Sequence, residues 1–187
     1  TAVKEMSEGE LLQIQKSRTL DITEEEYFDV IKKKTAALIA ACTNSGAHSV
    51  GAEKETMEEM NNLGLYLGLA FQIKDDLLDY SNNPLTGKHS GNDIKEKKLT
   101  LPLIYSLKQA EKKDKKEMLH IISHPKRKKG KIKKVIEFVH NQGGIDYAIE
   151  KMNENKGLAL QIVKKQQDSQ AKEAMIHLIE YIVNRKK

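Results

Sequence analysis

Three carboxylates close a run of apolar residues. Asp75, Asp76 and Asp79 stand at the end of LGLYLGLAFQIKDDLLDY, residues 63–80. On a helix turning 100° per residue, Asp75 and Asp79 lie about 40° apart and Asp76 about 100° from Asp75. Like charges so placed cost an isolated helix roughly 0.2–0.5 kcal/mol per pair, and more where water is scarce. A hard divalent cation, which takes oxygen ligands, is the simplest counter-charge. A solvated acidic helix end is the plainer alternative, and for a lone DDxxD the better one. Two further features weigh on the choice. Lys34 stands inside an apolar stripe of Tyr27, Val30, Ile31, Ala37, Leu38 and Ala41, where ordinary snorkelling would also account for it. Residues 81–98, SNNPLTGKHSGNDIKEKK, have no apolar period and bring Lys88, Asp93, Lys97 and Lys98 directly behind the carboxylates. A loop of that length in a compact domain is functional or disordered.

The elements that must hold these residues are helical. Residues 2–18 are good helix formers, with Glu10 and Gln13 three apart on one face. Asp21 or Thr23 can cap a second helix whose first turn carries Glu24, Glu25 and Glu26, where the dipole favours them. The stretch AACTNSGAHSVGA, 40–52, ends it. The helix from about 53 to 80 is apolar on almost every side until Lys74, as a buried central helix should be. Its Gly64 and Gly68 stack on one face and admit a close neighbour. Thr100 can cap a short helix with Pro102 in its first turn. Apolar periods over 132–139, 145–163 and 171–182 mark three more. No alternating period suggests a strand, so residues 1–187 read as one all-α domain of about seven helices.

Composition agrees. With 39% hydrophobic and 32% charged residues, three prolines and no tryptophan, the chain is a highly charged helical protein rather than a β sandwich. One cysteine, Cys42, excludes an intramolecular disulfide and suits a reducing cytoplasm. No signal peptide or membrane span is visible. The net charge of +5 is concentrated in 112–134. That run lacks interleaved aromatics, so no nucleic-acid partner is expected. The six histidines read as ordinary surface or loop residues.

The quoted blocks also carry a resemblance. FQIKDDLLDY (71–80) resembles the second aspartate-rich motif, FQxxDDxxD, of the trans-polyprenyl diphosphate synthases. GKHSGNDIKEKKLTLPLIYSL (87–107), KKTAALIAAC (33–42) and SEGELLQ (7–13) are similar to three other blocks of that family, in its order and spacing. The resemblance implies the C-terminal portion of the isoprenoid-synthase helical bundle, arranged around a central cavity. It also implies a head-to-tail (1′-4) prenyltransferase that joins isopentenyl diphosphate to an allylic diphosphate in isoprenoid biosynthesis, releasing diphosphate. Carried over residue by residue, Asp75, Asp76 and Asp79 become ligands of Mg²⁺, with Mn²⁺ as an alternative, directly or through water. Lys34, Thr35, Gln72, Lys88 and Lys98 become contacts to the allylic diphosphate, and Asp93 orders the loop. No further catalytic side chain is implied, because the departing diphosphate serves as the base. A homodimer is expected.

Two departures from the family pattern matter. Lys97 stands where a small residue is usual, and the first aspartate-rich motif has no counterpart in these 187 residues. The chain is therefore expected to lack catalysis on its own and to expose apolar surface along 63–73. A non-catalytic partner subunit and a class I terpene cyclase are the competing assignments. The retained aspartates oppose the first, and the Lys-Thr, FQ and GK…D…K…TLP blocks together oppose the second.

Overall fold

The computed structural model describes residues 2–81, 91–124 and 130–185. Among the described residues the structure is helical throughout, without strands: α1 (Ala2–Thr19), α2 (Glu24–Ile31), a π-helical turn (Lys32–Ala36), α3 (Ala37–Ser49), α4 (Lys54–Leu78), α5 (Asn92–Lys95), α6 (Leu101–Gln109), α7 (Lys112–Ser123), α8 (Ile132–Asn141), α9 (Gly144–Lys164) and α10 (Gln170–Asn184). This exceeds the expected seven for physical reasons. A widened turn divides the second expected helix into two. A single helical turn, α5, sits in the segment that shows no apolar period. The lysine-rich α7 buries only Met118, Ile121 and Ile122 at its C-terminal end, too short a stripe to stand out in the sequence.

Helix α4 is the axis. Its most extensive packing is against α3 on one side and α9 on the other. Leu63 and Leu67 join Ala159, Ile162, Val163 and Ile179 in one core. Ala70 and Ile73 join a larger one with Tyr27, Ile31, Ile94, Leu103, Ile122 and Val139. The small-residue face meets α3 and the π turn. A Cβ on Gly64 would reach Ala40 Cα at 2.6 Å, and one on Gly68 would reach Ala36 Cα at 2.5 Å, so only glycine permits this approach. The expectation of an exposed apolar face along 63–73 is corrected for Leu63, Leu67, Ala70 and Ile73, which are buried because α3 and α9 cover α4 from both sides, whereas Leu65, Tyr66, Leu69 and Phe71 are half-buried.

Local capping sets where α2 begins. Of the two candidate caps, Thr23 is used: its hydroxyl accepts from the Glu26 backbone N–H, and the Glu26 side chain accepts from the Thr23 N–H. This reciprocal box satisfies two otherwise orphan donors. Thr100 precedes α6 without a side-chain cap. Its hydroxyl instead lies 3.0 Å from the buried Tyr80 hydroxyl. No described helix is long and apolar enough to cross a membrane.

Candidate functional site

The three carboxylates leave α4 in three directions. Asp76 turns inward and is 5% exposed. Its Oδ2 accepts from the Tyr27 hydroxyl at 2.7 Å, and its Oδ1 accepts from Gln72 Nε2 at 2.9 Å. The Gln72 carbonyl oxygen accepts in turn from Thr35 Oγ1 at 2.8 Å. A chain Thr35–Gln72–Asp76–Tyr27 thus fastens the π turn to α4 and α2. Burial pushes the Asp76 carboxyl up to about 7, against the pull of its two hydrogen bonds, and the charges of Asp93 and Asp75 add to the rise. Burial also pushes the Tyr27 phenol well above its ordinary range, so it is a neutral donor.

Asp79 turns toward the loop. Its two oxygens accept the backbone N–H groups of Asn92 at 2.9 Å and Asp93 at 3.0 Å, and its carbonyl accepts that of Gly91 at 2.9 Å. Gly91 sits at φ +80°, a conformation that favours glycine. The carboxylate that gathers these loop amides is Asp79. Asp93 holds the backbone N–H of Lys98 through its carbonyl at 2.8 Å. Burial raises the Asp93 side chain to about 6, helped by Asp79. Asp75 points outward, 47% exposed, with one oxygen 3.3 Å from the Arg185 guanidinium.

The lysines come from two sides. The π turn widens the helix at Lys34 and Thr35, as such turns often do at working sites. Lys34 Nζ lies 2.6 Å from both Gln13 Oε1 and Glu10 Oε2 of α1. Lys98 Nζ is 2.5 Å from Glu96 and 3.9 Å from Asp93. Lys97, the residue before it, takes φ +61°. That is left-handed backbone where glycine would sit without strain.

Lys34, Gln72, Asp75, Asp76, Asp93 and Lys98, among others, line a cavity of about 240 Å³. Thr35 and Asp79 are not among its lining residues. Lys88 lies outside the described residues. Sequence reasoning passed over Tyr27 and Arg185. Tyr27 looked like one more core residue of its stripe, and nothing in the pattern shows a C-terminal arginine reaching α4.

The donor set can be tested against a divalent cation. Among the described residues, no three or more His, Cys, Asp or Glu side chains are placed to hold one ion. Mg²⁺ seldom needs that many, since it keeps several waters and uses one or two carboxylates plus substrate phosphates. Asp75 and Asp76 both line the cavity and supply oxygen donors, Asp75 from a carboxylate that is 47% exposed, so the pair fits that pattern.

A sequence profile of the polyprenyl synthetase family matches residues 1–139. This chain belongs to that family. It is 35% identical over 179 residues to a short chain isoprenyl diphosphate synthase of Methanothermobacter thermautotrophicus, covering 95% of this chain and 54% of the relative. The crystal structure of a polyprenyl synthase from Caulobacter crescentus, complexed with calcium and isoprenyl diphosphate, superposes with a TM-score of 0.91 at 29% identity. That match covers 100% of this chain and 57% of the other. A geranylgeranyl pyrophosphate synthase from Bacteroides thetaiotaomicron gives 0.87 at 37% identity, covering 98% and 61%. The fold is thus the all-α isoprenoid-synthase fold, and the chain spans little more than half the length of the relatives it matches.

Proposed function

We propose that this chain supplies the diphosphate-holding wall of a head-to-tail prenyltransferase, which joins an allylic diphosphate to isopentenyl diphosphate. The observation that carries the reading is the shared cavity, which Lys34 and Lys98 line together with Asp75, Asp76 and Asp93. A wall bearing both signs suits an anion that arrives with its counter-ions. In the reaction the allylic C–O bond breaks, a carbon–carbon bond forms to isopentenyl diphosphate, and a proton passes to the departing diphosphate. When bound at Asp75 and Asp76, Mg²⁺ (or Mn²⁺) would neutralise charge developing on the leaving group. Lys34 and Lys98 add fixed positive charge at the same place, already oriented by Glu10, Gln13 and Glu96, so little reorganisation is needed. Gln72 and Thr35 set the spacing between the lysine-bearing π turn and the carboxylates on α4. Lys88 belongs to the proposal through its motif alone. Asp79 ties α5 to the end of α4 and so holds Lys98 near the cavity. The enzyme is proposed to act as a cytoplasmic homodimer.

Replacing Asp75 by Ala in the full-length protein tests the reading. Incorporation of labelled isopentenyl diphosphate is expected to fall by orders of magnitude while helix content is kept, and unchanged turnover would remove the metal assignment. The 187 residues assayed alone are expected to be inactive, because they contain one aspartate-rich motif. Steady product formation by them would contradict that.

A further inference from the structure

Arg185 ends α10, where its backbone N–H bonds the Tyr181 carbonyl at 2.9 Å. Its side chain crosses to α4. The guanidinium lies over the Phe71 ring, 4.3 Å from the centroid, and one Nη meets Asp75 Oδ1 at 3.3 Å. Phe71 and Asp75 are four residues apart, so they share one face of α4 and Arg185 runs along it. The grip on the carboxylate is poor. Charge-assisted pairs of this kind close to about 2.7–2.9 Å and are often two-pronged. Here a single contact is long, and Arg185 Nε is buried without a hydrogen-bond partner among the described residues. Stacking and packing hold this cation at the carboxylate more than the carboxylate does. Asp75 itself remains 47% exposed, open to a second cation.

We propose that Arg185 is the resident counter-ion of Asp75 and competes with the divalent cation for that carboxylate. The proposal rests on the reading of Asp75 as a metal ligand. A dication arriving at Asp75 meets a fixed positive charge a few ångströms away and must displace it or bind against it. Arg185 therefore sets the metal concentration at which this half of the clamp fills. It is a positioning residue whose effect is on occupancy rather than on bond making.

Mn²⁺ binding, followed in the full-length protein by the loss of the free-ion electron paramagnetic resonance signal, reads this without turnover. Arg185→Gln removes the charge, and Arg185→Lys restores it. The glutamine variant is expected to bind Mn²⁺ about two- to fivefold more tightly than wild type, the size of a partly exposed charge pair. The lysine variant is expected to return toward wild type. Asp75→Asn separates the two ideas. If it weakens Mn²⁺ binding while Arg185→Gln leaves it unchanged or weaker, the competition is overturned and the metal assignment stands. If Asp75→Asn leaves binding unchanged, the metal assignment fails and the competition with it.

Discussion

Asp76 shows how one buried carboxyl couples stability to pH. Its pKa is raised to about 7 by burial, whereas an unfolded aspartate titrates near 3.9. Between those values the folded state holds a proton that the unfolded state has lost, so stability falls as pH rises through the interval. Asp93, raised to about 6 by burial, acts in the same direction over a narrower window. The metal-free protein is therefore expected to be less stable at pH 8 than at pH 5, by on the order of 4 kcal/mol from these groups. Urea denaturation at the two pH values measures this, and Asp76→Asn should remove most of the dependence. Tyr27→Phe gives the converse. It deletes the 2.7 Å donor to Asp76 Oδ2 and leaves a buried acceptor unsatisfied, for a loss of about 1–3 kcal/mol. The loss should be larger at pH 8, where Asp76 is ionised; an equal loss at both pH values would mean that the phenol serves packing alone. Residue types and spacing were legible at this scale, but directions were not. Nothing in DDLLD says that Asp76 turns inward and Asp79 toward loop amides thirteen and fourteen residues ahead.

Among the elements, the junction of α4 with the π turn carries the site. Period and capping in the sequence located α1, α2, α4, α6 and the last three helices, because each buries a regular stripe. The π turn was not legible, since KKKTA lies within an unbroken helical pattern. The glycines did signal the approach, and they supply its test. Gly68→Ala would place a methyl 2.5 Å from Ala36 Cα and 2.8 Å from its Cβ. Both contacts are with helix backbone or a rigid methyl, so α4 and the π turn must separate. Overpacking of this kind costs about 1–3 kcal/mol, partly offset by the better helix propensity of alanine. The shift would also move Thr35 away from Gln72 and carry Lys34 with it. Gly68→Ala is thus expected to lower the melting temperature and, in the full-length enzyme, to raise KM for the allylic diphosphate. Gly46→Ala, where a Cβ meets nothing within 4 Å, serves as the control and should be neutral or slightly stabilising.

For the molecule as a whole, the surface carries an unbalanced feature. Val3, Leu11 and Ile14 of α1 are 72%, 66% and 43% exposed, and their spacing gathers them on one side of the helix. The opposite side of α1 is fixed on the π turn, where a Cβ on Gly9 would come within 2.7 Å of the Lys34 backbone nitrogen, so α1 cannot rotate to bury them. Exposed apolar clusters of this kind drive association, while a net charge of +5 opposes it. The 187-residue chain is accordingly expected to self-associate, and to do so more strongly as salt screens the repulsion. Sedimentation velocity at low and high salt distinguishes this from charge-driven association, which salt would weaken. Lysine at positions 3, 11 and 14 together should return a monomer at both salt concentrations with unchanged helix content. A wild-type chain that stays monomeric at high salt would show that this apolar face is too small to drive self-association.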